Sequence, residues 1–322
     1  MKTILALFTS LIFIQNFYSQ NDIHFHDPNL EMALREIIKQ PTSNLEKKHF
    51  ESITKLDIRN KNISSLSGIE NLENLEVLTA GLNPISDLTP LASLKKLKAL
   101  NLANAQINDL SPLTQIYSLS GIWVPNNAIS DLSPLKKLVN LKHLIIAGNN
   151  IGDIGPISNL QNLVQLNIDN NQIKNLSPIS NLEKLEQLTL NNNQVEDLVP
   201  IINITSLKWL DLRNNNIKHI MALGKLINLE KLFLWNNSIE DISSLSSLSN
   251  VIWLELGANS ISDITPLLNL QKLKRLSLND NYLDVETGSI ALLLIEELQS
   301  QGVLVYHLPQ QGYNYFQKHK KE

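Results

Sequence analysis

Apolar residues recur along the chain at fixed places in a unit of twenty-two residues, from position 53 to position 283. The unit follows the pattern L-x-x-L-x-L-x-x-N-x-I-x-D-L-x-P-L-x-x-L-x-x, and its seven apolar positions stay in phase without insertion or deletion. Eleven copies begin at Ile53, Leu75, Leu97, Leu119, Leu141, Leu163, Leu185, Leu207, Leu229, Val251 and Leu273. Chance does not maintain such a register, so the period itself predicts the architecture.

One unit contains a strand, a turn and a return limb. In the unit from 163 to 184, Leu166 and Ile168 alternate with polar residues, which predicts a short strand with its leucines inward. Asn171 lies where the chain must turn, and its side-chain amide can satisfy buried backbone groups there. Ser177-Pro178 predicts a helical turn with the serine as N-cap and the proline as first helical residue. The repeat therefore predicts an α/β leucine-rich repeat solenoid, a horseshoe with a parallel concave sheet and short helical turns on the convex side.

The segments outside the repeats predict a leader and two lids. Residues 1–19, with Lys2 before an apolar run, are typical of a secretory signal peptide. Residues 20–52 predict a helical N-terminal cap, residues 53–283 the repeat array, and residues 284–322 a C-terminal cap with a polar tail. We expect the mature chain to be a monomer that is secreted, periplasmic or at the cell surface.

Each lid has recognisable helix signals. Asp27-Pro28 predicts the start of a helix to Lys39, and a second short helix follows around residues 45–50. The first helix has one apolar face, formed by Leu30, Ala33, Leu34, Ile37 and Ile38. At the other end, Ser289 can cap a helix over 290–300 that stops at Gly302, and residues 303–306 predict an edge strand.

Composition excludes several functions. The net charge of −4 and the lack of a basic run argue against nucleic acid as a partner. The chain has no cysteine, so its stability cannot depend on disulfides. After the leader, the chain has no further long apolar run, so we expect no membrane insertion of the mature protein.

Neither catalysis nor a cofactor is indicated. The seven histidines are scattered over different units, and no phosphate loop or nucleophile elbow occurs, so we expect a non-enzymatic protein. An aspartate row could form a calcium edge, or each carboxylate could accept N–H groups of its own turn. We favour the second interpretation, because the dense Gly-Asp spacing of calcium-binding repeats is missing. The row is Asp87, Asp109, Asp131, Asp153, Asp197, Asp241 and Asp263.

The candidate ligand-binding site lies on the outward positions of the concave strands, the third, fifth and seventh of each unit. All four tryptophans occupy these positions, and three of them fall in units eight to ten with a phenylalanine and mixed charges. Large exposed aromatic patches mark interaction sites, although the rings could also merely pack on one another. The candidate residues are Trp123, Trp209, Asp211, Arg213, Lys231, Phe233, Trp235, Trp253 and Glu255.

Three stretches carry a family resemblance: the helical lead-in DPNLEMALREII, the first-repeat phrase LDIRNKNISSLSGIENLENL and the return limbs DLSPL and DLTPL. They resemble the bacterial internalin-type leucine-rich repeat proteins over residues 27–306. This resemblance implies export and, in some members, binding of a host receptor on the concave face. We expect a protein ligand. A carbohydrate ligand and a purely structural role in the cell envelope remain the alternatives.

Overall fold

The computed structural model describes residues 23–311; the predicted signal peptide and the polar tail, residues 317–322, lie outside this range. Twelve parallel strands form one sheet in which each strand pairs with the next along the chain. The strands are β1 Lys55–Asp57, β2 Val77–Thr79, β3 Ala99–Asn101, β4 Gly121–Trp123, β5 His143–Ile145, β6 Gln165–Asn167, β7 Gln187–Thr189, β8 Trp209–Asp211, β9 Lys231–Phe233, β10 Trp253–Glu255, β11 Arg275–Ser277 and β12 Leu304–Tyr306.

Each strand repeats the register of its neighbour at an offset of one unit, so that Trp209 pairs with Lys231 and Lys231 with Trp253. Equivalent side chains therefore stack in rows across the sheet. The apolar positions of all eleven units join one continuous buried core. This confirms the predicted solenoid, its parallel sheet and its inward leucines.

The return limbs contain short 3₁₀ helices, which also confirms the predicted helical turns. These helices are Ile69–Asn71, Thr89–Leu91, Ser111–Leu113, Ser133–Leu135, Gly155–Ile157, Ser177–Ile179, Val199–Ile201, Met221–Lys225, Ser243–Ser247 and Thr265–Asn269. The predicted serine N-cap is wrong, because Ser177 is itself the first helical residue and Leu176 precedes it as the cap. The Ser177 N–H donates instead to the Asn175 side chain, 2.9 Å away.

The aspartate row performs that same task in seven other units. Thr89 N–H donates to Asp87 Oδ1 at 2.8 Å, and the pattern recurs at all seven aspartates. Hydrogen bonds from the Thr89 side chain and backbone lower the pKa of Asp87. The row therefore satisfies its own turns, as we favoured on sequence grounds.

The turn asparagines link consecutive units. Asn171 Nδ2 donates to the carbonyls of Ile168 in its own unit and of Ile146 in the preceding unit, both at 3.1 Å. Its Oδ1 accepts the N–H of Ile151 at 3.0 Å. The same bonds form at every predicted ladder position, Asn83, Asn127, Asn149, Asn171, Asn193, Asn215, Asn237, Asn259 and Asn281. Asn127 and Asn237 are half-buried, whereas the other seven are buried.

Helical caps cover both ends. At the N-terminal end of the array, helix α1 spans Pro28–Ile38, and a 3₁₀ turn, Lys47–His49, follows it. Leu30, Ala33 and Leu34 are buried as predicted, but Ile37 is 44% exposed, because the covered face of α1 is narrower than the apolar stripe. Helix α2 spans Ile290–Ser300, with the Ser289 side chain as its N-cap, and strand β12 closes the sheet.

Asp27 joins the first cap to the array. Its Oδ1 accepts the N–H of Asn29 at 2.9 Å, as an N-cap does, while its Oδ2 accepts the Ser64 N–H at 2.6 Å. Burial alone would raise the pKa of Asp27, but the hydrogen bonds from Ser64 and from the helix N-terminus outweigh it and lower the pKa. One carboxylate thus fixes the cap to the first repeat.

Candidate functional site

The predicted site residues lie on strands β8, β9 and β10 and on the residues directly after them, apart from Trp123 on β4. Alternation along each strand turns the third and fifth positions away from the leucine core, which places the third-position residues Trp209, Lys231 and Trp253 in one row. The fifth-position row contains Asp211, Phe233 and Glu255.

Three rings form a packed cluster at the centre of these rows. Phe233 meets Trp209 edge to face at 6.2 Å and Trp253 edge to face at 4.9 Å between centroids. Edge-to-face packing is a favoured arrangement of aromatic rings. We refer to Trp209, Phe233 and Trp253 together as the ring cluster.

Phe233 is buried, whereas the sequence predicts that it belongs to an exposed aromatic patch. Although it points away from the leucine core, it is only 4% exposed. The reason is lateral packing, since a tryptophan on each neighbouring strand leans over it. Phe233 therefore supports the ring cluster from within, and the rings that solvent can reach are those of the half-buried Trp209 and Trp253.

Each ring of the cluster lies beside a cation. Lys231 Nζ is 4.5 Å from the centroid of Trp209, and the Arg275 guanidinium is 4.5 Å from that of Trp253. The Arg213 guanidinium lies 5.2 Å from the centroid of Phe233. Cations at such distances are attracted by the ring quadrupole, so the cluster is held by charge as well as by packing.

The acidic residues of the patch engage Arg213. Asp211 is buried and accepts three hydrogen bonds from the Arg213 side chain. Nε donates to Oδ1 at 3.0 Å and to Oδ2 at 3.1 Å, and Nη2 donates to Oδ2 at 2.5 Å. The Glu255 carboxylate lies 3.7 Å from Arg213 Nη1. A planar guanidinium suits this forked recognition, which leaves Arg213 neutralised and fixed over Phe233.

Asp169, at the seventh position two strands away from Arg213, is a further acid that the sequence did not single out. Burial raises the pKa of Asp169 to about 6. The hydrogen bond from the Asn191 N–H lowers this pKa in part, whereas the negative charge of Asp211 raises it further. Its Oδ1 accepts that N–H at 2.7 Å. The concave surface beside the ring cluster therefore carries a carboxyl that titrates in a mildly acidic range.

Trp235 does not join the other rings, although it shares units eight to ten and the concave face with them. Among residues 23–311, the ring pairs of this region are Trp209–Phe233 and Phe233–Trp253. Trp235 lies over Gly257 instead, where a Cβ would overlap its ring atoms. It is half-buried and borders the ring cluster as a separate ring, on the same concave face.

Trp123 is also separate, on strand β4. It stacks on His143 of the next strand, with 6.0 Å between centroids and 18° between planes, and it covers Gly121. The structure thus divides the candidate residues into a group around the ring cluster and a single remote tryptophan. Arg275 belongs to the first group although the sequence analysis missed it. The sequence feature that indicates Arg275 is the alternation of tryptophan and cation at the third positions of units eight to eleven.

Other chemistries find little support in the part of the chain that the structure describes. No group of three histidine, aspartate or glutamate side chains there is arranged to hold a metal ion. None of the helices between residues 23 and 311 has the length and apolar character needed to cross a bilayer.

The repeats match the leucine-rich repeat family (two copies per match) at residues 73–115, 139–181, 161–203 and 205–247. Among solved structures, the internalin InlF of Listeria monocytogenes is 30% identical, with a TM-score of 0.78 over 88% of this chain and 91% of that one. The functional domain of InlJ from Listeria monocytogenes is 21% identical, with a TM-score of 0.75 over 89% of this chain and 60% of that one.

A plant structure shares the fold as well. The ectodomain of the receptor kinase GASSHO1/SCHENGEN3 from Arabidopsis thaliana, in complex with CASPARIAN STRIP INTEGRITY FACTOR 2, is 23% identical, with a TM-score of 0.66 over 82% of this chain and 34% of that one. A comparison with curated protein sequences gives no match. The identity to InlF over nearly the whole of both chains shows the relationship. The chain belongs to the internalin-type leucine-rich repeat family.

Proposed function

We propose that this protein is an exported, non-enzymatic binding module that holds a protein partner on the concave face of its solenoid, at strands β8 to β11. The observation that carries the proposal is the ring cluster with its three flanking cations, which sits on an open sheet face outside the leucine core. Aromatic and arginine side chains at the centre of a patch are the residues that contribute most to protein–protein affinity.

The rigidity of the ring cluster supports binding over a merely structural role. Phe233 is fixed between two tryptophans, and Arg213 is fixed by the Asp211 fork. A surface that is ordered before association loses little side-chain entropy when a partner docks. The plant receptor ectodomain with the same fold was solved in complex with CASPARIAN STRIP INTEGRITY FACTOR 2.

Ring accessibility favours a protein over a carbohydrate. A sugar ring stacks on an open aromatic face, but Lys231 and Arg275 each occupy a face of a cluster tryptophan, and Phe233 is buried. A protein can instead use ring edges, cations and the surrounding polar rim together. The signal peptide predicted over residues 1–19 supports export and lies outside the described residues.

The absence of cysteine from the sequence makes a site-specific blocking experiment possible. A cysteine at Gln187, beside Trp209 on the concave sheet, and a matched cysteine at Met221, which is 82% exposed on the convex 3₁₀ helix, each accept a bulky maleimide polymer. Both labelled proteins and the unlabelled protein then serve as bait for extracellular proteins.

We expect the label at position 187 to abolish capture of a discrete partner and the label at position 221 to leave capture unchanged. Equal capture by both labelled baits would contradict a concave site. A glycan array in parallel distinguishes the carbohydrate alternative, and a structural envelope role predicts no discrete partner from either source.

A further inference from the structure

Tryptophan and cation alternate along one row of the concave sheet. The third positions of β8, β9, β10 and β11 hold Trp209, Lys231, Trp253 and Arg275 in register. Each cation leans onto the ring of the preceding strand, Lys231 onto Trp209 and Arg275 onto Trp253, both at 4.5 Å. The row is therefore regular, with one cation for each tryptophan.

In the part of the chain that the structure describes, these two cations have no acidic partner. Among residues 23–311, no carboxylate oxygen lies within 4.0 Å of a side-chain nitrogen of Lys231 or Arg275. The nearby acids are engaged elsewhere, since Asp211 and Glu255 both face Arg213. Two lysines that directly precede strands β3 and β8 are paired, Lys98 with Glu76 and Lys208 with Glu186. The row thus carries two uncompensated positive charges in a protein whose net charge is −4.

From this geometry we propose that the partner docks an acidic, extended peptide segment along the third-position row, with one carboxylate at Lys231 and another at Arg275. The inference rests on the proposed function, because it names the chemistry of the partner at the same surface. The two cations are two strands apart, which corresponds to about 10 Å. Two acidic residues separated by one or two others in an extended chain span a comparable distance.

The tryptophans prepare the cations for this role. A lysine or arginine held over a ring has already lost part of its conformational freedom, so it loses less when it meets a carboxylate. Its remaining N–H donors stay available, and the exposed Arg275 can offer two of them to one carboxylate. The adjoining rings supply apolar contact for the stem of the acidic side chain.

The test is selection from a displayed library of random peptides on immobilised full-length mature protein. The wild type is compared with the double variant Lys231→Gln/Arg275→Gln, which keeps long polar side chains but removes both charges. The matched control is Lys55→Gln, which removes a cation from the same third position in the first unit, far from the ring cluster. Circular dichroism and thermal unfolding establish that all three proteins are folded.

We expect peptides selected on the wild type and on Lys55→Gln to be enriched in aspartate and glutamate, and the double variant to lose that enrichment. A synthetic peptide from the wild-type selection should bind the double variant at least roughly tenfold more weakly, with a reduced dependence on salt. Replacement of its acidic residues by amides should have the same effect on the wild type.

The other outcomes separate the two claims. Selected peptides without acidic enrichment, but blocked by the polymer label at position 187, overturn the acidic segment and leave the concave binding site standing. Peptides that the label does not block overturn both, and a library that yields no binder overturns the acidic segment. A preference for sulfated sugars over any peptide on a glycan array overturns the assignment to a peptide. If the double variant loses thermal stability but selects the same peptides, the row is only a structural brace.

Discussion

The Phe233 ring meets the Trp253 ring edge to face, with 4.9 Å between their centroids, although neither residue points into the leucine core. The concave face consequently has a small packed layer of its own at strands β8 to β10. Its two neighbouring cations and the Asp211–Arg213 fork fix this layer before any partner arrives. Pre-organisation of this kind is the property that a binding surface needs and a purely structural sheet does not.

The first prediction concerns the asparagine ladder. Asn171→Ala removes the amide that donates to three backbone carbonyls and leaves the Ile151 N–H buried without an acceptor. The free energy of unfolding should fall by about 1 to 3 kcal/mol. Chemical denaturation measures this change. The unit that begins at Leu97 has Ala105 in place of the ladder asparagine, so Ala105→Asn should be neutral or stabilising. Equal unfolding midpoints for wild type and Asn171→Ala would refute the ladder.

A second prediction concerns Leu82, which has a φ of 60° in a position where seven other units have asparagine and one has glycine. A branched side chain is strained in this left-handed conformation, whereas asparagine tolerates it. Leu82→Asn should therefore raise the free energy of unfolding by roughly 0.5 to 1 kcal/mol. Leu82→Ala is the matched control, since it removes the same exposed apolar side chain without relieving the backbone. If alanine stabilises as much as asparagine, backbone strain is not the cause.

The third prediction concerns the joint between the cap and the array. Asp27→Ala removes both the N-cap of α1 and the bonds to Ser64, so it should lower the free energy of unfolding by about 1 to 3 kcal/mol. Hydrogen exchange should show early opening of α1. Asp87→Ala removes an exposed carboxylate that bonds only its own turn, so it should lower the free energy of unfolding by less. An Asp27→Ala protein with unchanged exchange in α1 would show that the cap is held by apolar contacts alone.

The fourth prediction concerns pH. The folded-state pKa of Asp169, about 6, exceeds the unfolded value of 3.8, so the folded protein binds more protons between these values. The contribution of Asp169 to the free energy of unfolding should therefore fall as pH rises from about 4 to about 6, by roughly 1 to 3 kcal/mol. Asp169→Asn keeps an oxygen for the Asn191 N–H and removes the titration. The variant should be more stable than the wild type at pH 7 but not at pH 4. A difference in the free energy of unfolding between the two proteins that stays constant with pH would contradict the raised pKa of Asp169.

Much of the fold follows from the sequence because the period and the alternation are both visible in it. The registers of β1 to β11, the Asn171 bonds and the start of α1 at Pro28 all rest on rules that act within one unit or one turn. The inward leucines need no knowledge of distant residues, because every unit has the same neighbours.

The details of the candidate site depend on packing that no single unit reveals. The burial of Phe233 results from two tryptophans that lean over it, and Trp235 is drawn aside because Gly257 leaves room for its ring. The exposure of Ile37 likewise depends on how α1 meets the first repeat. Periodicity identifies the face on which a residue lies, but it does not determine which neighbour the side chain touches.

Trp235 offers the most direct test of the concave site because its ring lies outside the ring cluster and its loss creates no core cavity. The measurement is the affinity of a captured protein partner, determined by calorimetry, for the wild type, Trp235→Ala and Trp123→Ala. Trp123 is the matched control, a tryptophan on the same face at the distant strand β4. We expect Trp235→Ala to weaken binding by about 2 kcal/mol or more, with an unchanged unfolding midpoint, and Trp123→Ala to bind as the wild type does. Wild-type affinity in Trp235→Ala, or an equal loss in Trp123→Ala, would contradict a partner site at strands β8 to β11.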